Sequence, residues 1–277
     1  MKIVVGIDTN GLYRQALSLS TRLGFPDAEW ILAYSRDIPS EVAYRPDLID
    51  AISQAGDSAL EASAEDAAAC GIEAKTVRLS GDPASTLVSF AEEIGADLVA
   101  VHSERKGRFG SLFFGSVGRG LAIGAKHSVL ISKGDAPSTG KLTAVFATDQ
   151  SEYAARSLEK LIAMQPAGIG RIRLMTAVNL NAREVAHGLP VVTGLVEAAE
   201  ERMQEDVRRF RAAGYEASGV VLDKHVNDAI RDQMEETQAD LLLMGAQGHG
   251  FMHRLILGST SLHQVVVEPY SVLIIRP

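Results

Sequence analysis

Short apolar runs alternate with longer amphipathic stretches along the whole chain. A continuous apolar run bounded by polar residues is typical of a strand that is buried on both faces of a sheet. Each half of the chain reads as strand, helix, strand, long helix, strand, helix, strand, glycine loop, helix, strand. This alternation predicts a parallel sheet that is built from right-handed crossovers and covered by helices on both faces. The clearest apolar runs are 2–7, 96–101, 128–131, 142–149, 239–244 and 271–275.

Helix starts are marked by capping residues. Asp82 can cap a helix whose first residue is Pro83, and we expect one face of that helix to be buried. Ser151 is expected to cap a helix in the second half. The counterpart of the Asp82 helix is predicted at about 227–238, and a charged amphipathic helix at 197–211. The expected buried faces are Leu87, Phe90, Ala91 and Ile94 in the first helix, and Ala155, Leu158 and Ile162 in the second.

The two halves repeat the same pattern. Asp97 and Asp240 each lead an apolar run, and each is followed nineteen positions later by a serine that a glycine precedes, Ser116 or Ser259. Such self-similarity indicates duplicated units. A turn-rich segment, 133–140, separates them. We therefore predict two domains, residues 1–135 and 140–277.

The second half contains glycines and a serine in the pattern G-x2-G-x9-G-S, formed by Gly245, Gly248, Gly258 and Ser259. The glycines follow a predicted strand and let the backbone approach a ligand closely. The serine opens the next helix, where unpaired N–H groups favour an anion. The pattern therefore predicts a phosphate site, although glycines after a parallel strand can also serve only turns and packing.

With these motifs the chain resembles the universal stress protein family in its tandem form. The resemblance covers the whole length and includes the strand-end aspartates Asp8 and Asp149 and the closing strands 128–131 and 271–275. It implies an α/β fold with two tandem Rossmann-like α/β/α sandwich domains, each with a five-stranded parallel sheet. It also implies that members carrying the full motif bind ATP.

The resemblance assigns roles to residues of the second half. Gly245 and Gly248 would approach the phosphates and ribose. Gly258, Ser259 and Thr260, at the helix start, would hold phosphate. Asp149 and Val178, at two strand ends, would line the adenine and ribose end. Met244, the last residue before the motif, completes the ATP site. Asp149 can equally order a turn through its own backbone.

The first half departs from this motif. His102 and Arg105 stand where the second half has its first two glycines, whereas Gly107 is retained. Side chains there would occupy ligand space and disfavour positive φ. We predict that the first half has lost ordinary ATP binding, with Arg105 as a phosphate ligand in an altered site as the alternative.

Catalytic signatures are weak. The chain lacks the P-loop lysine pattern and an evident Ser/His/Asp or Cys/His arrangement, so we expect at most a slow, Mg²⁺-dependent ATPase. His249 and His253 are four residues apart, but no third ligand is evident and we predict no metal site. A nucleotide-independent interaction scaffold is the alternative function. A dinucleotide oxidoreductase is disfavoured because residues 6–11 do not form G-x-G-x-x-G.

The composition narrows the expected binding partners and cellular compartment of the protein. The net charge of −8 and the aromatic content of 5% argue against a nucleic-acid surface. Cys70 is the single cysteine, which suits a reducing compartment. The apolar runs are too short to span a membrane and no signal core is evident. We expect a cytoplasmic protein that binds an adenine nucleotide, and a homodimer is compatible with the sequence.

Overall fold

The computed structural model describes residues 1–42, 44–103, 115–134, 139–178, 190–248 and 257–277. Strands and helices alternate through both halves in the predicted order. The strands are Lys2–Ile7 (β1), Glu29–Arg36 (β2), Ala74–Ser80 (β3), Leu98–His102 (β4), Ser128–Ser132 (β5), Leu142–Ala147 (β6), Ile169–Ala177 (β7), Glu216–Leu222 (β8), Leu241–Gly245 (β9) and Ser271–Ile275 (β10). The helices are Tyr13–Leu23 (α1), Pro46–Ala69 (α2), Pro83–Glu93 (α3), Ser116–Gly124 (α4), Glu152–Met164 (α5), Pro190–Ala212 (α6), Val226–Glu236 (α7) and Ser259–Val266 (α8).

The strands form one sheet in the order β3-β2-β1-β4-β5-β10-β9-β6-β7-β8. All pairs within a half are parallel, which confirms the predicted fold class of two tandem five-stranded α/β units. The halves meet at β5 and β10, which pair antiparallel with Leu273 opposite Leu130. The two parallel sheets thus continue into one another across this seam.

Helices cover both faces of the sheet, and each face has its own apolar core. Helices α1, α2, α5 and α6 pack on one face, where Leu17 and Leu158 are buried. Helices α3, α4, α7 and α8 pack on the other, where Leu121 and Ile230 are buried. Within the described ranges, no helix is both long and apolar enough to cross a membrane.

Both predicted helix caps are present. The Asp82 carboxylate accepts from Ser85 N at 2.9 Å, and the Ser151 hydroxyl accepts from Ala154 N at 3.2 Å. The buried face of α5 is shifted by one position from the prediction. Ala154 and Leu161 are buried, whereas the predicted Ala155 and Ile162 are half-buried. Both stripes include Leu158, so helical spacing alone does not choose between them.

Two buried cations brace the seam between the halves. Lys133 follows β5, and its ammonium donates to Gln264 O at 3.0 Å and Glu268 O at 2.7 Å, at the carboxyl end of α8. Arg276 follows β10, and its guanidinium donates to Ala122 O at 2.6 Å near the end of α4. Each half therefore satisfies carbonyl groups at the last helix of the other, where a cation also complements the helix dipole.

Candidate functional site

A cavity of about 220 Å³ lies at the carboxyl ends of β6, β7 and β9. Ligands of open α/β sheets bind at this edge, because loops rather than helices cover it. The residues around the cavity are Ala147, Thr148, Asp149, Ala154, Met175, Ala177, Val226, Ile230, Met244, Gly245, Gln247, Gly248, Gly258, Ser259, Thr260 and Ser261.

One wall of the cavity is apolar. Val226 and Ile230 come from consecutive turns of α7, and Met175, Ala177 and Met244 come from the ends of β7 and β9. These five side chains offer a water-excluding surface without charge. A flat, largely apolar ring is the kind of group that such a wall accommodates.

A second wall is formed by backbone at the start of α8. Gly258 N donates to Ala246 O at 2.8 Å, and the Ser261 hydroxyl donates to Gly245 O at 3.0 Å. These bonds hold the end of β9 against the first turn of the helix. The N–H groups of that first turn lack intrahelical acceptors, so together with the hydroxyls of Ser259 and Thr260 they form a donor cluster suited to an anion.

Two of the three glycines of this wall are closely packed. A Cβ at Gly248 would stand 2.6 Å from Asp149 Oδ2, and one at Gly245 would stand 3.2 Å from the Tyr153 ring. Gly258 has φ −61°, and neither of the other two has a positive φ. The positive φ expected from the sequence is therefore absent. Neighbouring side chains restrict the space at Gly245 and Gly248, whereas a Cβ at Gly258 would meet nothing closer than Ala246 O at 3.5 Å, an ordinary contact.

The two strand-end aspartates differ in their surroundings. Asp149 accepts from Ser151 N at 3.1 Å, the local turn that this residue type favours, and it lines the cavity. Asp8 accepts from three backbone N–H groups, those of Asn10, Leu12 and Tyr13, at 2.7, 3.2 and 2.7 Å. Asp8 is thus committed to the start of α1, whereas in the second half Ser151 caps the helix.

The structure brings seven of the eight predicted site residues around the cavity: Asp149, Met244, Gly245, Gly248, Gly258, Ser259 and Thr260. Val178 follows β7, where its backbone N–H donates to Leu222 O at 2.8 Å, and its neighbour Ala177 lines the cavity instead. Sequence reasoning missed Val226 and Ile230. Their spacing of four on one helical face is the signal that could have identified them.

The corresponding place in the first half is packed differently. His102 Nδ1 lies 3.0 Å from the Ser132 hydroxyl. A Cβ at Gly6 would stand 2.8 Å from Val101 Cγ1 and 3.2 Å from Leu87 Cδ1, so these side chains already crowd the strand. The other predicted positions here, Arg105 and Gly107, lie outside the described residues, as do His249 and His253.

Comparisons with known proteins give consistent results. The model of the universal stress protein family matches residues 1–133 and again residues 143–276. A universal stress protein from Archaeoglobus fulgidus is 21% identical, with a TM-score of 0.72 over 99% of this chain and 96% of its own. A functionally unknown protein from Pseudomonas aeruginosa is 17% identical, with a TM-score of 0.64 over 100% and 92%. A universal stress protein in complex with cAMP is 27% identical over 47% of this chain and 95% of its own, with a TM-score of 0.38. The comparison with curated proteins gave no match.

Proposed function

The chain belongs to the universal stress protein family, and we propose that its second half binds ATP as part of a stress-response or regulatory role. The observation that carries the proposal is one cavity with two unlike walls. One wall is apolar, and the other presents the glycine backbone and the first turn of α8. A nucleotide suits both surfaces, because its base is flat and largely apolar and its phosphates are anionic.

The chemistry of the two walls supports one direction for the ligand. In this proposal the adenine ring lies against Met175, Val226 and Ile230, and the phosphates lie at Ser259 and Thr260, all of which line the cavity. Asp149 stands at the loop between these ends, where a carboxylate can accept hydrogen bonds from ribose hydroxyls. A bound Mg²⁺ would offset charge between the phosphates.

The first half serves a structural or regulatory purpose in this proposal. Its strand end is crowded by Val101 and Leu87, and Asp8 is committed to backbone N–H groups. Residues 1–135 and 140–277 remain the proposed domain boundaries. Any ATP hydrolysis is proposed to be slow, since no catalytic base is identified beside the donor cluster among the residues that the structure describes.

Nucleotide extraction from the purified protein separates this proposal from a nucleotide-independent scaffold. The full chain is purified without added nucleotide, denatured, and the released small molecules are quantified by chromatography. Adenine nucleotide present with wild type and absent with Gly248→Val supports the proposal. If neither wild type nor protein incubated with ATP and desalted retains any nucleotide, the scaffold function is favoured.

A further inference from the structure

Three arginines surround a second cavity, of about 500 Å³, at the opposite end of the sheet. Arg171 and Arg173 project from β7, and Arg211 comes from the last turn of α6. The cavity borders the amino-terminal parts of β6, β7 and β8, whereas the nucleotide cavity lies at the carboxyl ends. Its other lining residues are Thr143, Ile172, Glu216, Ala217, Ser218, Glu236 and Thr237.

None of these three arginines forms an ion pair with a carboxylate in the part of the chain that the structure describes. Their partners are neutral. Arg171 donates to Thr143 Oγ1 at 3.1 Å. Arg173 donates to Gln233 Oε1 at 3.0 Å and to Ser218 Oγ at 3.2 Å. Arg211 donates to Ala217 O at 2.9 Å. Each guanidinium has five N–H donors, so donors remain for a ligand.

The two carboxylates at the cavity do not neutralise this charge directly. Glu216 stands opposite Arg171 in the strand register but forms no ion pair with it. Glu236 accepts a hydrogen bond from Gln233 Nε2 at 2.7 Å. Arg171 and Arg211 are exposed, so solvent screens the repulsion among the three guanidinium groups, and what they offer an anion is their unused N–H donors and positive charge.

The fold itself does not require these polar residues. Val4 and Val145 are equivalent positions of the two halves, because each stands four residues before the strand-end aspartate. Ile31 pairs with Val4 and Arg173 pairs with Val145, so Ile31 and Arg173 are also equivalent. Phe90 and Gln233 are likewise the eighth residues of α3 and α7. In the first half Ile31 therefore belongs to an apolar core and half-buried Phe90 packs against it, at the place where the second half has Arg173 and Gln233.

We propose that this cavity is a binding site for a small dianion, either a phosphate or a dicarboxylate, held by Arg171, Arg173 and Arg211. Planar guanidinium groups match the paired oxygens of both anions. The site is separate from the nucleotide cavity and does not depend on ATP binding.

The test is calorimetric titration of the full chain with inorganic phosphate and, separately, with succinate. Wild type is compared with Arg171→Gln/Arg211→Gln, which keeps the Arg173 bond to buried Gln233 intact. Arg208→Gln is the matched control, because it removes an arginine from the same helix that pairs instead with Glu205. Circular dichroism establishes that each variant is folded.

We expect saturable binding of at least one anion with a Kd of about 1 mM or tighter at low salt. The double variant should weaken that binding at least about tenfold, and the control should leave it unchanged. The anion that binds more tightly identifies the ligand class. Absence of saturable binding to both anions overturns the proposal, as does binding that the double variant leaves intact.

Discussion

Gly248 brings the loop backbone against the Asp149 carboxylate, with room for no side chain between them. We predict that Gly248→Val abolishes ATP binding while the fold is retained. The added atoms would enter the cavity and also displace the Asp149 carboxylate, which lines the same cavity. Calorimetric titration measures binding, and circular dichroism monitors folding.

The matched control is Gly194→Val on α6, because a Cβ there would meet no atom of other elements within 4 Å among the described residues. A double-mutant cycle of Gly248→Ala with Asp149→Ala separates the two effects. If displacement of Asp149 is the cause, Gly248→Ala should cost less affinity in the Asp149→Ala background than in wild type. Wild-type affinity in Gly248→Val would make Gly248 a packing glycine only.

For single residues, the sequence predicted which glycines lie at the candidate site, but it did not predict their backbone conformation. The spacing of Gly245, Gly248 and Gly258 marked residues that the structure brings around one cavity. The positive φ expected at these positions is absent, whereas the close approach of their backbone to a ligand remains a prediction. The commitment of Asp8 to backbone donors could not be read from its sequence position, which is equivalent to that of Asp149.

Helix α8 carries the hydroxyls proposed to hold phosphate. Its Thr260 corresponds to Val117 on α4 when the two Gly-Ser pairs are aligned. We predict that Thr260→Val weakens ATP binding about tenfold, because a hydrogen bond to a charged group is lost at nearly constant side-chain volume. Ser116→Ala on α4 should leave the calorimetric Kd unchanged, and an equal loss in both variants would place the phosphates elsewhere.

A buried carboxylate joins α7 and α8, which both line the proposed nucleotide cavity. Glu268 accepts from Arg231 of α7 at 2.8 Å and lies 3.3 Å from His263 of α8. Burial raises the pKa of Glu268, but the hydrogen bonds and charges of Arg231 and His263 outweigh burial and hold the pKa below its ordinary 4.5. A depressed pKa stabilises the fold above pH 4.5, and this stabilisation is lost as pH falls through the folded-state pKa.

We therefore predict that Glu268→Gln is less stable than wild type at pH 7 and that the difference shrinks below about pH 4.5. Urea unfolding at several pH values measures it. A difference that stays constant down to pH 3 would show that Glu268 contributes packing and no charge.

Element order was predictable because buried parallel strands and capped helices carry local signals. Asp82 with Pro83 marked the start of α3, and Ser151 marked the cap of α5. The seam carried no such signal. Both β5 and β10 are apolar runs that are buried at every position, and their antiparallel pairing depends on the assembly of both halves.

At the scale of the whole molecule, the seam depends on Lys133 and Arg276. We predict that Lys133→Met lowers the free energy of unfolding by about 2 kcal/mol, because it removes a donor from buried carbonyl groups. Lys126→Met is the control, since Lys126 forms an exposed pair with Glu92 that is worth about 0–1 kcal/mol. Urea unfolding compares them, and equal losses would mean that Lys133 does not brace the seam.

The central claim is that one chain holds one ATP, in its second half. Calorimetric titration of nucleotide-free protein tests it most directly, because the stoichiometry counts sites and the Gly248→Val variant assigns them. We predict about one ATP per chain for wild type and none for the variant. Two equivalent sites per chain, no binding to wild type, or undiminished binding to the variant would contradict the account.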